Sequence, residues 1–407
     1  MFRKAIMMAA AVCVFAGAAY AQEAATKATA ASINQFGEDM FRQMQKTEGP
    51  AKNLLISPYS IASALALAGA GSQGATRDEF AAILHSPDIL AAGYAGLNTS
   101  LIPARPGLLK RLLPGKDSGI ELYSANSLWL SDKLTFLPEY LDKTSGIFNA
   151  SAETVDFGNS GTARRINKWV EDITRGMIPE LIDKLDASTA AVLVNALYFK
   201  GKWQDPFEPD DTQEKDFHLD DGSTRPAQLM FKDSEFQYRE DDNHQAVHLP
   251  YRGGKYEMMV ILPREGKKVA DLSPAIWDMP FSTQLGYLWL PRMKLDYSIE
   301  LAEPLKALGL SHAFDPASAD FWAMVKQSPD LSVYISRVIH KTMMEVEETG
   351  TKAAAATAVM MGVTSMAPME PPPHFTMRVD RPFMVVLRDV PSDTILFLGQ
   401  VADPGDM

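Results

Sequence analysis

Cysteine is almost absent: the 407-residue chain holds one, Cys13. A single thiol excludes an intrachain disulfide and any zinc site built on cysteine pairs. Basic residues are also short. Lys and Arg number 39 against 51 Asp and Glu, a formal charge of −12, and no cluster of five or more basic residues occurs. Such a chain lacks the cation density that a phosphate backbone demands, so no nucleic-acid partner is expected. No run reaches 18 consecutive apolar residues, so no candidate membrane span and no membrane partner is expected. No GxSxG elbow surrounds a serine, which removes support for that class of hydrolase. What remains is 46% hydrophobic and 22% charged, the balance of a folded body rather than a disordered chain.

Arg3 and Lys4 precede the apolar run AIMMAAAVCVFAGAA, which closes on Ala19-Tyr20-Ala21. A positive start, a short apolar stretch and a small-x-small site are the pattern of a secretory signal peptide. Residues 1–21 are therefore expected to be cut away after Ala21, leaving 22–407 as one domain, secreted or periplasmic. Cleavage removes Arg3, Lys4 and Cys13 and moves the formal charge from −12 to −14. A core without cysteine must then hold the fold. Residues 22–32 (QEAATKATAAS) read as a loose leader.

From Ile33 the apolar residues Ile33, Phe36, Met40, Phe41 and Met44 recur at helical spacing. Ser57-Pro58 starts a second helix with an N-cap serine and proline at its first position. Thr76 to Glu79 opens a third. Residues 103–119 read as a loop. LYSANSLWLS (Leu122 to Ser131) is a strand, Gly161 to Gly176 a helix, and AAVLVNALY (Ala190 to Tyr198) a strand covered on both faces. Short alternating strands fill 214–300, Ser332 to Glu345 is another strand, and PFMVVLRDV and TILFLGQVA close the chain. Helices come first and strands mainly later, which predicts an α+β fold.

Several motifs reduce to ordinary structure. Gly69, Gly71 and Gly74 match GxGxxG, but they follow an Ala-rich helix rather than a strand, so a turn between helices is the better reading. His244 and His248 have zinc-helix spacing but loop and strand flanks. Asn98 and Asn149 head glycosylation triplets by pattern. The unusual segment is Glu345 to Val359, EVEETGTKAAAATAV. It reads as an exposed Ala-rich helix, a linker, or a strand in waiting. In the last case one face carries Thr351, Ala353, Ala355, Thr357 and Val359, small and uncharged throughout, with Lys352 on the other.

The chain resembles the serpins over essentially all of 22–407. NLLISPYSIASALALAGAGSQGATRDEF is similar to their N-terminal pattern, VDFGNSGTARRINKWVEDITRGMIPELI to their helix F region, and LVNALYFKGKWQDPF to their central strand. HKTMMEVEETGTKAAAATAV resembles their hinge, and RPFMVVLRDVPSDTILFLGQVADP their closing strands. The resemblance implies a serpin fold: three β-sheets, eight or nine helices and an exposed reactive-centre loop, here about 348–374. It also implies a suicide substrate for serine proteases, not an enzyme, with no metal or cofactor. In that mechanism the cut loop inserts into the main sheet and traps the acyl-enzyme. A non-inhibitory serpin, a carrier or chaperone, is the alternative.

Matched residue by residue, Glu348 and Gly350 are hinge positions, Thr351 is the residue that enters the sheet first, and Ala353, Ala354, Ala355, Ala356 and Thr357 are the small-residue run. Lys352 and Thr349 depart from the commoner residues. Ser57, Ser60, Asn195 and His340 match the shutter, where central strands part, and Trp203 matches the aromatic at the breach. The usual register places the reactive bond at Thr364-Ser365, fourteen residues after Gly350, with Val363 and Met366 as neighbours. No Arg or Lys lies between Lys352 and Arg378, which implies an elastase-, chymotrypsin- or subtilisin-like partner with a small or apolar primary pocket. The stretch APMEPPPHF is longer and richer in proline than the family pattern. A monomer is expected.

Overall fold

The computed structural model describes residues 2–87, 92–101, 119–148, 150–272, 279–328, 331–350 and 374–405. Among them are seven α-helices: α1 (Phe2–Glu48), α2 (Pro58–Gly69), α3 (Gly74–Ile83), α4 (Ala92–Leu101), α5 (Pro138–Phe148), α6 (Thr162–Ile173) and α7 (Ala302–Ala307). The strands are β1 (Leu54–Ile56), β2 (Ile120–Ser131), β3 (Ser151–Val155), β4 (Ala191–Gly201), β5 (Gln213–His218), β6 (Thr224–Glu240) and β7 (His244–Pro250). They continue as β8 (Tyr256–Pro263), β9 (Ser282–Pro291), β10 (Met293–Glu300), β11 (Arg337–Val346), β12 (Phe375–Arg378), β13 (Phe383–Asp389) and β14 (Thr394–Val401).

Five strands form the first sheet in the order β10-β11-β4-β2-β3. The others form one hydrogen-bonded network, β1-β14-β13-β8-β7-β6-β9-β12, with β5 on β6. The second and third sheets of the expected three are continuous here through the 17-residue β6. Its start pairs with β5, its middle with β9 and its end, Gln237 to Glu240, with β7.

β4 is apolar almost throughout because both its faces are covered. Leu193 and Leu197 join the main core, while Val192, Val194 and Ala196 pack with Ile166 and Val170 of α6. Burial of each such side chain is worth roughly 1.5–3 kcal/mol. Behind the sheet, α2 is buried at every residue; its small side chains let it lie close under the strands.

Three expectations need correction. Residues 22–32 are not a loose leader; they continue α1, with Thr29 and Ala30 buried. Alanine, the best helix former, dominates that stretch, and α4 approaches it through glycines: a Cβ on Gly93 would lie 2.0 Å from Thr29 Oγ1. Asn98 is not a glycosylation acceptor in this fold. It is buried, accepting from the Tyr59 hydroxyl and donating to Ile147 O. β11 begins at Arg337, not Ser332. His244 and His248 stand on β7 against Asp241 and Glu257 respectively. Gly69, Gly71 and Gly74 form the α2–α3 turn, with Gly74 at φ +50°. Asn149 and residues 103–118 lie outside the described residues.

Candidate functional site

The first sheet contains a seam. β11 and β4 are parallel neighbours, paired from Arg337–Val192 to Met343–Tyr198. Both strands run on past that last pair, β4 to Gly201 and β11 to Val346, without pairing each other. The seam is thus closed along its middle and open at the end where the chain leaves β11.

A row of polar side chains crosses the closed part. His340 on β11 lies opposite Asn195 on β4, and Asn195 lies opposite Asn126 on β2. All three are buried, as are Ser57 and Ser60 at the start of α2 beneath them. The hydrogen bonds fix the protons. Ser57 N–H donates to His340 Nε2 at 3.1 Å, so the ring proton sits on Nδ1 and points to Asn195 Oδ1. Asn195 Nδ2 donates to Ser60 Oγ and to Asn126 Oδ1, and Ser60 Oγ donates to Asn126 Oδ1 at 3.2 Å. Ser57 Oγ caps α2 by accepting from Ser60 N–H at 3.1 Å. Burial pushes the His340 imidazole down to about 3, so the ring is neutral. This is not a catalytic Ser–His pair. The imidazole acceptor is already occupied by a backbone N–H, and both serines are fully enclosed. The row is a latch: each member satisfies the next, and parting β4 from β11 must break the His340–Asn195 bond.

The open end is tied differently. After Val346 the chain turns at Glu347–Gly350, closed by Glu347 N–H to Gly350 O at 2.9 Å. Trp203, just past β4, holds this turn twice: its Nε1–H donates to Glu347 O at 2.9 Å and its backbone N–H to Thr349 O at 3.2 Å. Its ring stacks on Tyr251 with centroids 4.4 Å apart. Glu348 is buried, with Oε1 taking Arg292 Nη2 at 2.6 Å and Thr212 Oγ1 at 2.5 Å. Burial pushes the Glu348 carboxyl up, but the Arg292 and Thr212 bonds outweigh it and hold the carboxyl below its ordinary range. Gly350 has φ +108°, and a Cβ there would lie 2.2 Å from Gly201 O. Only glycine fits that angle and that approach. Gly350 also makes an antiparallel bridge to Lys202.

The structure therefore brings Ser57, Ser60, Asn195 and His340 together, and Trp203 with Glu348 and Gly350. Thr351, Lys352, Ala353 to Ala356, Thr357, Thr364 and Ser365 lie outside the described residues. Sequence reasoning missed Asn126, Arg292 and Thr212. Asn126 sits in an ordinary strand pattern, and only the β2–β4 register reveals it. Arg292 lies in the β9–β10 corner, with nothing local to mark its partner.

The fold thus combines a parallel seam latched along its middle with a chain tethered at the seam's open end. The family described as Serpin (serine protease inhibitor) matches residues 31–404, and the chain belongs to it. The leukocyte elastase inhibitor of Bos taurus is 33% identical over 394 residues, spanning 92% of this chain and 99% of that protein. An uncharacterized serpin-like protein of Thermococcus kodakarensis is 34% identical over 393 residues, 95% of this chain and 88% of its own. Among solved structures, native tengpin, a thermophilic serpin, aligns with TM-score 0.78 at 27% identity over 91% of this chain and 93% of its own. Human thyroxine-binding globulin shares the fold at TM-score 0.80 and 24% identity, covering 94% of this chain and all of its own.

Proposed function

We propose that this serpin inhibits serine proteases as a suicide substrate, inserting its cut loop between β4 and β11. The observation that carries the reading is the seam: two parallel strands unzipped at the end where Gly350 already bridges Lys202. A chain returning from that turn runs antiparallel to both strands. It replaces one parallel ladder, the weaker kind per residue, with two antiparallel ones. On the face carrying Thr351, Ala353, Ala355 and Thr357 the side chains are small and meet no steric gate on entry, with Lys352 on the opposite face. The barrier is kinetic, set by the latch and the sheet, so the uncut fold is held metastable.

The reading assigns the reactive bond to Thr364-Ser365 and the target to an elastase-, chymotrypsin- or subtilisin-like protease. Leukocyte elastase inhibitors among the relatives agree with a small or apolar primary pocket. It also places the mature chain, cut after Ala21, in the periplasm or outside the cell, as a monomer. Incubation with a panel of serine proteases, denaturing gels and mass spectrometry test it together. A covalent complex with a cut at or beside Thr364 is expected. Cleavage by every protease without any stable complex would favour a carrier or chaperone instead.

A further inference from the structure

At the foot of the same seam lies a cavity of about 560 Å³. One wall is the chain leading into β4, with Lys184, Leu185 and Thr189. The other is the chain leading into β11, with Tyr334, Ile335 and Arg337. Phe314 and Lys306 also line it, Lys306 Nζ standing 5.5 Å from the Phe314 ring centre. The walls are joined by the lowest bonds of the seam: Ser336 N–H to Ala191 O at 2.8 Å and Ala190 N–H to Ser336 Oγ at 3.0 Å.

Three cations, Lys184, Lys306 and Arg337, line it against one carboxylate, Asp186. Among the described residues, the exposed Lys184 ammonium and the Tyr334 hydroxyl have neither a hydrogen-bond partner nor an ion pair. Arg337 is fixed by Nε to Glu300 at 2.9 Å and Nη1 to Lys184 O at 3.1 Å. Lys306 is shared with Glu303, and the Asp186 carboxylate is held by Ser188 through its N–H and hydroxyl. Free donors beside Leu185, Phe314 and Ile335 ask for an acceptor-only anion attached to an apolar body.

We propose that this cavity binds a small organic carboxylate with an apolar body, and that the bound ligand holds the foot of the seam shut. The carboxylate meets Lys184 and Tyr334, with the Arg337 guanidinium beside them. The coupling rests on the insertion reading. A strand entering at Thr351 must travel about ten residues to reach the level of Ser336. Completing that passage separates the two walls and dismantles the site. A ligand that binds only the joined walls therefore favours the uninserted form by linkage. It slows the last stage of insertion and lets more acyl-enzyme hydrolyse.

The test uses the full chain and 2-naphthoate as the probe, with neutral 2-naphthamide as its control, read by calorimetry. The intact chain should bind one naphthoate. Lys184→Ala, and naphthamide on the parent, should each bind about tenfold more weakly. The chain cut in its loop should not bind, and naphthoate should raise the fraction of inhibitor cleaved without trapping. Lys306→Ala removes a second lining ammonium and provides a second variant, which should also weaken binding. No binding to the intact chain, or equal binding by Lys184→Ala, overturns the site. Equal binding by cut and intact chains, when the cut has raised the melting temperature, overturns the coupling. A cut that leaves the melting temperature unchanged defeats insertion itself, and the site then stands or falls on the Lys184 and naphthamide results.

Discussion

β4 is held differently along its two edges. On one, eleven antiparallel pairs join it to β2, from Ile120–Gly201 to Leu130–Ala191. On the other, seven parallel pairs join it to β11 and stop short of both strand ends. The strand is buried at every residue but Lys200, so hydrophobic burial does not distinguish the edges. Pairing direction, ladder length and the polar row do. The Asn195–Asn126 contact merely adds to a full ladder, whereas the His340–Asn195 contact closes a short one. The comparison teaches that a strong and a weak seam can share one strand, with the weak one kept shut by a few named hydrogen bonds.

The largest effect should come from blocking the insertion proposed for the weak seam. Ala355→Arg puts a guanidinium on the small face of the entering strand. An unpaired buried charge costs about 3–5 kcal/mol, so insertion loses to deacylation. Covalent complex should fall to near zero while cleaved inhibitor accumulates, and Ala355→Ser should keep the parent yield. Equal complex from Arg variant and parent would defeat the assignment.

Asn195→Ala removes the centre of the latch, strands the His340 Nδ1–H and leaves Ser60 and Asn126 only each other across the row. A loss of about 3 kcal/mol in urea unfolding is expected, with faster spontaneous loss of inhibitory activity. Ser124→Ala, which touches the row only through Asn126 Nδ2 at 3.3 Å over β2, should cost less than about 0.5 kcal/mol. Similar costs for the two would erase the difference between the edges.

Acid should work on the same bond. His340 stays neutral in the fold down to about pH 3, against an ordinary value of 6.5. Below pH 6.5 the unfolded chain takes up a proton that the folded chain refuses. Stability is therefore full above 6.5 and falls from there towards pH 3, by at most about 1.4 kcal/mol per pH unit. His244 is also held low, by burial first, and contributes in the same direction. The readout is thus the difference between parent and His340→Asn from pH 6.5 to 5, where the variant should show a shallower slope. Parallel slopes would remove His340 from the account.

Gly350→Ala sharpens the comparison at the open end. The forced angle and the 2.2 Å approach to Gly201 O should cost about 1–3 kcal/mol and loosen the bridge to Lys202. Gly253→Ala, also at positive φ but with nothing within 4 Å of the added Cβ, should cost less by differential scanning calorimetry.

Much of this was legible in the residues. The cap at Ser57-Pro58 and the doubly covered strand Ala191–Gly201 follow from local chemistry that tertiary context leaves intact. The latch was legible only through resemblance. His340 and Asn195 are 145 residues apart, and no periodicity pairs them. Asn126 stayed hidden because its role depends on register, which a polar residue inside a strand does not announce. Residues 22–32 were misread because small polar composition fits a leader, while the close approach of Gly93 and Gly96 that makes them helix lies on α4.

On the insertion proposed above, the seam between β4 and β11 awaits a strand. The most direct measurement is the melting temperature of the chain before and after one verified cut near Thr364, made by a protease that is not trapped. Insertion would turn a solvated loop into a hydrogen-bonded central strand, so the account predicts a sharp rise. An ordinary nicked loop gives the unfolded chain more freedom and gains nothing, so a melting temperature unchanged or lowered by the cut would contradict it.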